Sequence, residues 1–100
     1  MSYAELKTDA IDETRRYVFA RAGWACEVCG APLSAGSAQL AHRIPQNTRN
    51  LTRYGKRVIH HPDNMAATCS LKCNAAVSIG GKPLAIAALV AQIRAKLGEV

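Results

Sequence analysis

The apolar residues near the end of the chain recur at helical spacing. Pro83, which suits the first turn of a helix, opens a segment of regularly spaced aliphatic side chains. Spacings of three and four residues place such side chains on one face, so we predict an amphipathic helix over residues 83–97. That face belongs either to the core or, in so short a chain, to the surface of a homodimer. The residues that form it are Ile86, Leu89, Val90, Ile93 and Leu97.

A second helix is predicted at the amino end, within residues 1–23. Asp9 can cap a helix that runs to about Arg21, and Gly23 follows it as a stop signal. The apolar residues at near-helical spacing in this segment are Ile11, Tyr17 or Val18, and Ala22.

The middle of the chain has shorter apolar runs that are separated by turn residues. Residues 38–44 predict a short strand that Pro45 ends, and residues 58–59 suggest a second, brief strand. Between them, residues 46–56 are polar and basic, and we interpret them as a long loop.

A third helix is predicted after this region. Ser70 can cap a helix over residues 71–79, which Gly80 and Gly81 would end. Helices that flank a few short strands predict one small α+β domain of 100 residues. In this single domain, residues 1–23 form the amino-terminal helix, 24–79 the core and 83–97 the final helix.

The chain has four cysteines in two pairs some forty residues apart, Cys26-Glu-Val-Cys29 and Cys69-Ser-Leu-Lys-Cys73. Two such pairs can close a tetrahedral thiolate site for Zn²⁺, which then ties two distant segments together. A domain this small gains from a metal staple because it buries only part of its apolar surface. The alternatives are two disulfides or four free thiols.

Zinc is favoured over disulfides because the sequence does not indicate a secreted protein. Residues 1–7 lack the basic-then-apolar order of a secretory signal, and no run of about eighteen apolar residues is available to span a membrane. We therefore expect a cytoplasmic protein, whose thiols stay reduced.

Charge is distributed unevenly along the chain. The net charge is +6, but residues 28–98 carry nine basic residues and a single acid, Asp63, which makes +8 for that region. One-sided charge is typical of a protein that binds a polyanion; the alternative is a solvated loop that keeps the chain soluble. Arginines suit bidentate phosphate contacts, so nucleic acid is the favoured partner. Five of the bases closely follow His42: Arg43, Arg49, Arg53, Lys56 and Arg57.

Residues 24–79 resemble the HNH endonucleases, which are His-Me finger nucleases with a ββα-metal core. Members of this family commonly carry a CxxC knuckle, a histidine that closes the first strand, a downstream asparagine, and a second cysteine pair that leads into a helix. The resemblance implies a zinc-stapled ββα-metal core that hydrolyses phosphodiester bonds in DNA. The corresponding segments here are Cys26-Glu-Val-Cys29, Leu40-Ala-His42, His61-Pro-Asp-Asn64 and Cys69-Ser-Leu-Lys-Cys73-Asn74.

The chain departs from the family pattern in three ways. Ala41 stands where an aspartate often helps to bind the catalytic metal, Asn74 stands where histidine is commoner, and the second cysteine pair is CxxxC rather than CxxC. Asn74 is then the one obvious protein ligand of a catalytic ion, with water and phosphate oxygens in the other positions. A hard cation such as Mg²⁺ or Mn²⁺ tolerates such a site.

Three polar residues of this pattern can divide the chemistry of phosphodiester hydrolysis between them. A neutral His42 can deprotonate a water molecule at cellular pH. Asn74 offers an oxygen to a divalent ion, which neutralises charge on the phosphate. Asn64 would form hydrogen bonds across the loop and hold the histidine strand in register. Without a functional role, His42 would be a satisfied core residue and Asn64 a turn former.

Two further histidines adjoin this pattern. His60 or His61 could supply a base, a phosphate contact, or a metal ligand in place of the acid missing at Ala41. Adjacent residues of an extended segment face opposite sides, so we expect at most one of them to point at the site, and His61 is preferred. Trp24, beside the first cysteine pair, is expected to pack over the zinc site rather than to stack on a base.

The sequence therefore predicts a metal-dependent DNA endonuclease or nicking enzyme with structural Zn²⁺ and catalytic Mg²⁺ or Mn²⁺. Low sequence specificity is expected because no segment resembles a dedicated base-reading helix. The alternative is a non-catalytic zinc module that binds nucleic acid, followed by a zinc-stapled protein-interaction domain.

Overall fold

Two short strands pair to form an antiparallel sheet in the computed structural model, which describes residues 13–34 and 36–98. Strand β1 is Gln39–His42 and strand β2 is Met65–Thr68, and His42 pairs with Met65. The strand expected over residues 38–44 is present in this shorter form. The second strand is not at residues 58–59, as we predicted, but follows a 3₁₀ turn at Pro62–Asn64.

Helices precede, separate and follow the two strands, so the molecule is a small α+β protein. In the first helix, α1, Val18 is buried and Tyr17 is 56% exposed, which decides between the two residues that the spacing allowed. The predicted cap Asp9 and the apolar Ile11 lie outside the described residues. The described helices are α1 (residues 13–21), α2 (Thr48–Tyr54), α3 (Lys56–Ile59), α4 (Leu71–Val77) and α5 (Pro83–Lys96).

Helices α2 and α3 occupy the segment that we interpreted as a loop and a strand, so both interpretations were wrong. Asn47 caps α2 by accepting a hydrogen bond from the backbone N–H of Asn50, at 2.8 Å. Gly55, with φ of 87°, separates α2 from α3. Val58 and Ile59 favour strands by intrinsic preference, but here they lie on the short helix α3 with their side chains buried. Packing thus outweighs local propensity.

Helices α4 and α5 largely match their predictions. The Ser70 hydroxyl accepts a hydrogen bond from the backbone N–H of Cys73 and so caps α4. This helix ends at Val77, two residues before the expected end. Gly80 lies beyond it in the turn to α5, where an added Cβ would meet Pro45 Cγ at 2.9 Å. The apolar face of α5 is core rather than free surface, since its residues Leu89, Val90 and Ile93 are buried.

Apart from Ala41 and Ala66 of the sheet, the buried apolar side chains of the described residues form two separate groups. The knuckle cluster lies around the first cysteine pair, and the distal cluster joins α3 and α5 to the segment after β1. The knuckle cluster consists of Val18, Phe19, Cys26, Leu33, Ala38, Met65, Ala67 and Cys73. The distal cluster consists of Ile44, Val58, Ile59, Ile79, Leu89, Val90 and Ile93.

Arg21 and Glu27 cover the outer edge of β2, the edge that does not pair with β1. Arg21 Nη2 donates to the Met65 carbonyl at 2.8 Å, and the backbone N–H of Glu27 donates to the Ala67 carbonyl at 2.9 Å. The Glu27 carboxylate accepts from the N–H of Ala67 and pairs with Arg21. The backbone groups of this edge are thus satisfied by α1 and the knuckle. None of the helices in the described residues has the length and apolar character needed to cross a bilayer.

Candidate metal centre and adjoining polar site

The two cysteine pairs meet in one cluster. Their four sulfur atoms lie within 4.8 Å of one another, and the Sγ atoms of Cys29 and Cys69 are 3.5 Å apart. The Sγ atoms of Cys69 and Cys73 are 3.8 Å apart. Sulfurs that bind one tetrahedral Zn²⁺ with bonds of about 2.3 Å lie roughly 3.8 Å from each other, so the cluster has the size of a zinc site. No disulfide joins any of the four cysteines in this structure.

Local backbone features bring each pair into position. The first pair lies in a tight turn in which the N–H of Gly30 donates to the Cys26 carbonyl at 2.9 Å, and Gly30 has a φ of 78°. The second pair straddles the start of α4, with Cys69 just before the cap Ser70 and Cys73 in the first turn. The extra residue of the CxxxC spacing is therefore accommodated by the helix cap.

The electrostatic environment of the thiols suits a cation. Burial by itself raises the pKa of Cys26. Hydrogen bonds from the backbone N–H groups of Cys29 and Val28 outweigh this effect and bring the pKa down to about 6. The pKa of Cys69 is raised to about 12, first because its thiol shares a hydrogen bond with Cys29 and then because of burial. One thiolate thus forms readily while another thiol keeps its proton, and a bound cation would favour the thiolate form of both. The four cysteines can hold a metal ion such as zinc.

Trp24 packs against Phe19 without being buried. Its ring is 5.2 Å from the ring of Phe19, centroid to centroid, and the residue is 46% exposed. Trp24 also has a φ of 54°, in the left-handed region that a bulky residue rarely adopts. The backbone therefore turns sharply where α1 gives way to the knuckle.

His42 closes β1 and has another histidine as its neighbour. His42 Nε2 is 3.5 Å from Nδ1 of His60, and the two rings meet edge to face. Burial lowers the pKa of His42 below 6.5, and the nearby His60 lowers it further. His42 is consequently neutral at neutral pH, the form that can accept a proton.

His60, and not the preferred His61, lies next to His42. The reason is that His60 ends helix α3 rather than lying on an extended segment. Nδ1 of His61 accepts a hydrogen bond from the backbone N–H of Asp63 at 3.1 Å and so caps the 3₁₀ turn. Burial lowers the pKa of His61, although the charge of Asp63 raises it in part.

Asn64 is wholly buried and ties the loop to the end of β1. Its Oδ1 accepts from the N–H of Ile44 at 2.7 Å, and its Nδ2 donates to the carbonyls of Ile44 and Ile59. The backbone carbonyl of Asn64 accepts from the N–H of Arg43, the residue that follows His42. The segment immediately after His42 is thus held by hydrogen bonds to both the side chain and the main chain of one residue.

Asn74 follows Cys73 in α4 and is partly buried. Helix α4 packs against both β1 and β2, so Asn74 lies on the element that faces the sheet. On the sheet, Ala41 is 1% exposed and pairs with Ala66. The position at which the family often has an acid is therefore a small buried residue here.

Asp63, the single acid of residues 28–98, is already engaged elsewhere. Its Oδ2 accepts from Lys96 Nζ at 2.6 Å and from Gln92 Nε2 at 3.2 Å. Although burial raises the pKa of Asp63, these two hydrogen bonds bring it below its usual value. The carboxylate thus ties the 3₁₀ turn to α5 instead of replacing the acid missing at Ala41.

The five bases after His42 do not lie on one loop. Arg49 and Arg53 lie four residues apart on α2 and line a groove between α2 and α5. Lys56 and Arg57 are exposed on α3, and Arg43 lines a different depression, with Arg21 and Asp63. Sequence reasoning missed two bases that α5 and its amino end add to the same groove, because they are distant in sequence: Lys82 and Arg94.

Comparison of the chain with protein-family models, with curated proteins and with solved structures found no match. The likeness to the HNH endonucleases therefore consists of the residues and spacings described above, together with a small α+β fold and a four-cysteine cluster.

Proposed function

We propose that the protein is a metal-dependent DNA endonuclease or nicking enzyme of the HNH type. The observation that carries the proposal is the order of polar groups around the small sheet. His42 closes β1 beside α4, and α4 begins at the cysteine cluster and carries Asn74 in its first turns. This order matches the family pattern in a chain whose cysteines can hold zinc.

In the proposed reaction, His42 acts as the general base. Its neutral imidazole takes a proton from a water molecule, and the resulting hydroxide attacks the phosphorus while the bond to the 3′ oxygen breaks. When bound at Asn74, Mg²⁺ or Mn²⁺ would neutralise charge on the phosphate and on the departing oxygen. Asn64 has an orienting role, because its hydrogen bonds hold Ile44 and Arg43, the two residues after His42.

The remaining residues of the proposal support this site. Zn²⁺ bound by the four cysteines would fix the start of α4, and with it Asn74, against the knuckle. The basic residues would contact the DNA backbone without reading bases, which fits low sequence specificity. These residues are Arg43, Arg49, Arg53, Lys56 and Arg57.

A second candidate function is a zinc module that binds nucleic acid without cutting it. The specific observation in its favour is the shortage of metal ligands, since Ala41 is buried and the carboxylate of Asp63 is bound by Lys96 and Gln92. Asn74 alone would then have to recruit the catalytic ion.

A plasmid-nicking assay separates the two functions. Supercoiled DNA is incubated with the protein and Mg²⁺ or Mn²⁺, and His42→Ala is compared with His61→Ala, whose ring caps the 3₁₀ turn instead. Loss of a general base costs about 100-fold or more in rate, so we expect nicking to fall by that amount in the first variant and to persist in the second. Zinc content should be unchanged in both. Equal nicking by His42→Ala and the parent protein would overturn the assignment.

A further inference from the structure

The proposed chemistry at His42 does not say what occupies the groove between α2 and α5. We propose that it binds an unpaired segment of a nucleic-acid strand, with the sugar–phosphate chain along its basic sides and the bases against α5. That the strand is DNA rests on the proposed function. The groove has a volume of about 700 Å³, and the turn that contains Gly80 and Gly81 also lines it.

The charge of the groove suits phosphates. Basic side chains reach it from both of its walls, two from α2 and two from α5 and the residue before it. None of the described residues that line it is acidic. Because opposing walls carry the same charge, a polyanion between them would meet cations on both sides. The four bases are Arg49, Arg53, Lys82 and Arg94.

The part of the α5 wall between Lys82 and Arg94 is apolar. It consists of small and aliphatic side chains, which suit the face of a base better than they suit a hydrated phosphate. Tyr54 lines the opposite wall, and the guanidinium of Arg53 lies 5.5 Å from the centroid of its ring. The groove thus has both of the surfaces that a nucleotide needs. The apolar residues of α5 are Ile86, Ala87, Val90 and Ala91.

The shape of the groove favours one strand over a duplex. Proteins read duplex DNA with a convex element, such as a helix, that enters a DNA groove. A concave basic channel with an aromatic side chain is instead the usual form of a site for single strands. A volume of about 700 Å³ also falls in the range of small-ligand pockets, which hold nucleotides rather than a double helix.

Binding can be measured apart from cleavage, by fluorescence anisotropy without added Mg²⁺ or Mn²⁺. The probes are a labelled oligothymidylate of about fifteen nucleotides and a blunt duplex of the same length. We expect tighter binding of the single strand. Lys82→Gln with Arg94→Gln should weaken this binding about tenfold. The slope of log affinity against log salt concentration should become shallower by about 1.4, because two phosphates are no longer neutralised. Arg16→Gln with Lys72→Gln removes the same charge outside the groove and should have a much smaller effect.

A second pair of variants tests the groove itself, without removing any arginine or lysine. Ala87 lines the groove, whereas Ala88 is its exposed neighbour on α5 and does not. Ala87→Glu should abolish preferential binding of the single strand, and Ala88→Glu should preserve it. Because both positions are exposed, both variants should keep the parent's zinc content and melting temperature.

Equal effects of the two glutamates, or a duplex that binds as tightly as the single strand, would overturn the inference. This result is independent of the nuclease proposal, because plasmid nicking that depends on His42 can persist when the groove variants show no effect. Conversely, groove binding without any nicking would support the inference and leave the second candidate function in place.

Discussion

The side-chain amide of Asn64 forms three hydrogen bonds to the main chain, and all three are buried. They join the segment after β1 to the end of α3, the two places where His42 and His60 lie. An apolar replacement would leave the N–H and carbonyl of Ile44 and the carbonyl of Ile59 without these partners, at about 1–3 kcal/mol for each buried group that stays unsatisfied. At the residue scale, Asn64 therefore positions the histidine pair through the backbone.

The histidine pair predicts a specific pH dependence. The pKa of His42 is lowered by burial and then by His60, so the base stays neutral somewhat below pH 6.5. His60→Asn removes the second cause, and the pKa of His42 should rise toward its usual value. The acid limb of the nicking rate should then move to higher pH.

The same shift can be read without activity, from the ring signals of His42 in an NMR titration. His61→Asn is the control, since His61 faces Asp63 and not His42. The lowered pKa also means that folding stability falls as pH drops from 6.5 toward the pKa of folded His42, because only the unfolded chain binds the proton there. Identical titration of His42 with and without His60 would contradict the proposed interaction.

At the scale of elements, the break between α2 and α3 determines which way the basic residues face. Gly55 lies between the helices with φ of 87°, a conformation that residues with a Cβ rarely adopt. The break lets Arg49 and Arg53 line the groove while Val58 and Ile59 turn into the distal cluster. In one continuous helix, either the two arginines would face away from the groove or the two aliphatic residues would face away from the distal cluster.

Gly55→Ala should therefore destabilise the protein by about 1–3 kcal/mol, the cost of holding a residue with a Cβ at φ 87° and ψ 160°, a region that only glycine adopts readily. Gly36→Ala is the matched control, because its φ is not positive and an added Cβ meets nothing within 4 Å. That change should be neutral or slightly stabilising. Urea unfolding of both variants measures the difference, and equal midpoints would show that the break does not depend on glycine.

At the scale of the whole molecule, two small cores and one cysteine cluster hold the described part of the chain together. The knuckle cluster includes Cys26 and Cys73 and therefore adjoins the cysteine cluster directly. The cysteine cluster joins two segments some forty residues apart, so metal binding and folding should be coupled.

The purified protein should contain about one zinc ion per chain, and Cys69→Ser should lose both the zinc and the cooperative thermal transition. Asn74→Ala is the control, since it changes the residue next to Cys73 in α4 without removing a thiol. Elemental analysis and calorimetry provide the two measurements. A metal-free protein that retains a sharp transition would refute the coupling.

Much of the site follows from local features that a sequence carries directly. The cysteine cluster follows from ligand type and spacing, the cap of α4 from Ser70, and helix α5 from its apolar period. Each of these depends on neighbours within a few residues or on a metal that accepts few ligand sets. Such features are predictable because little else in the fold can change them.

Only the tertiary structure decided which distant groups meet. Residues 56–59 became helical because burial of Val58 and Ile59 in the distal cluster outweighed their strand propensity. His60 rather than His61 reached His42 because His60 caps the carboxyl end of α3, and Lys82 and Arg94 joined Arg49 and Arg53 only where α2 and α5 line one groove. These outcomes depend on contacts between residues far apart in sequence, which no local period or cap encodes.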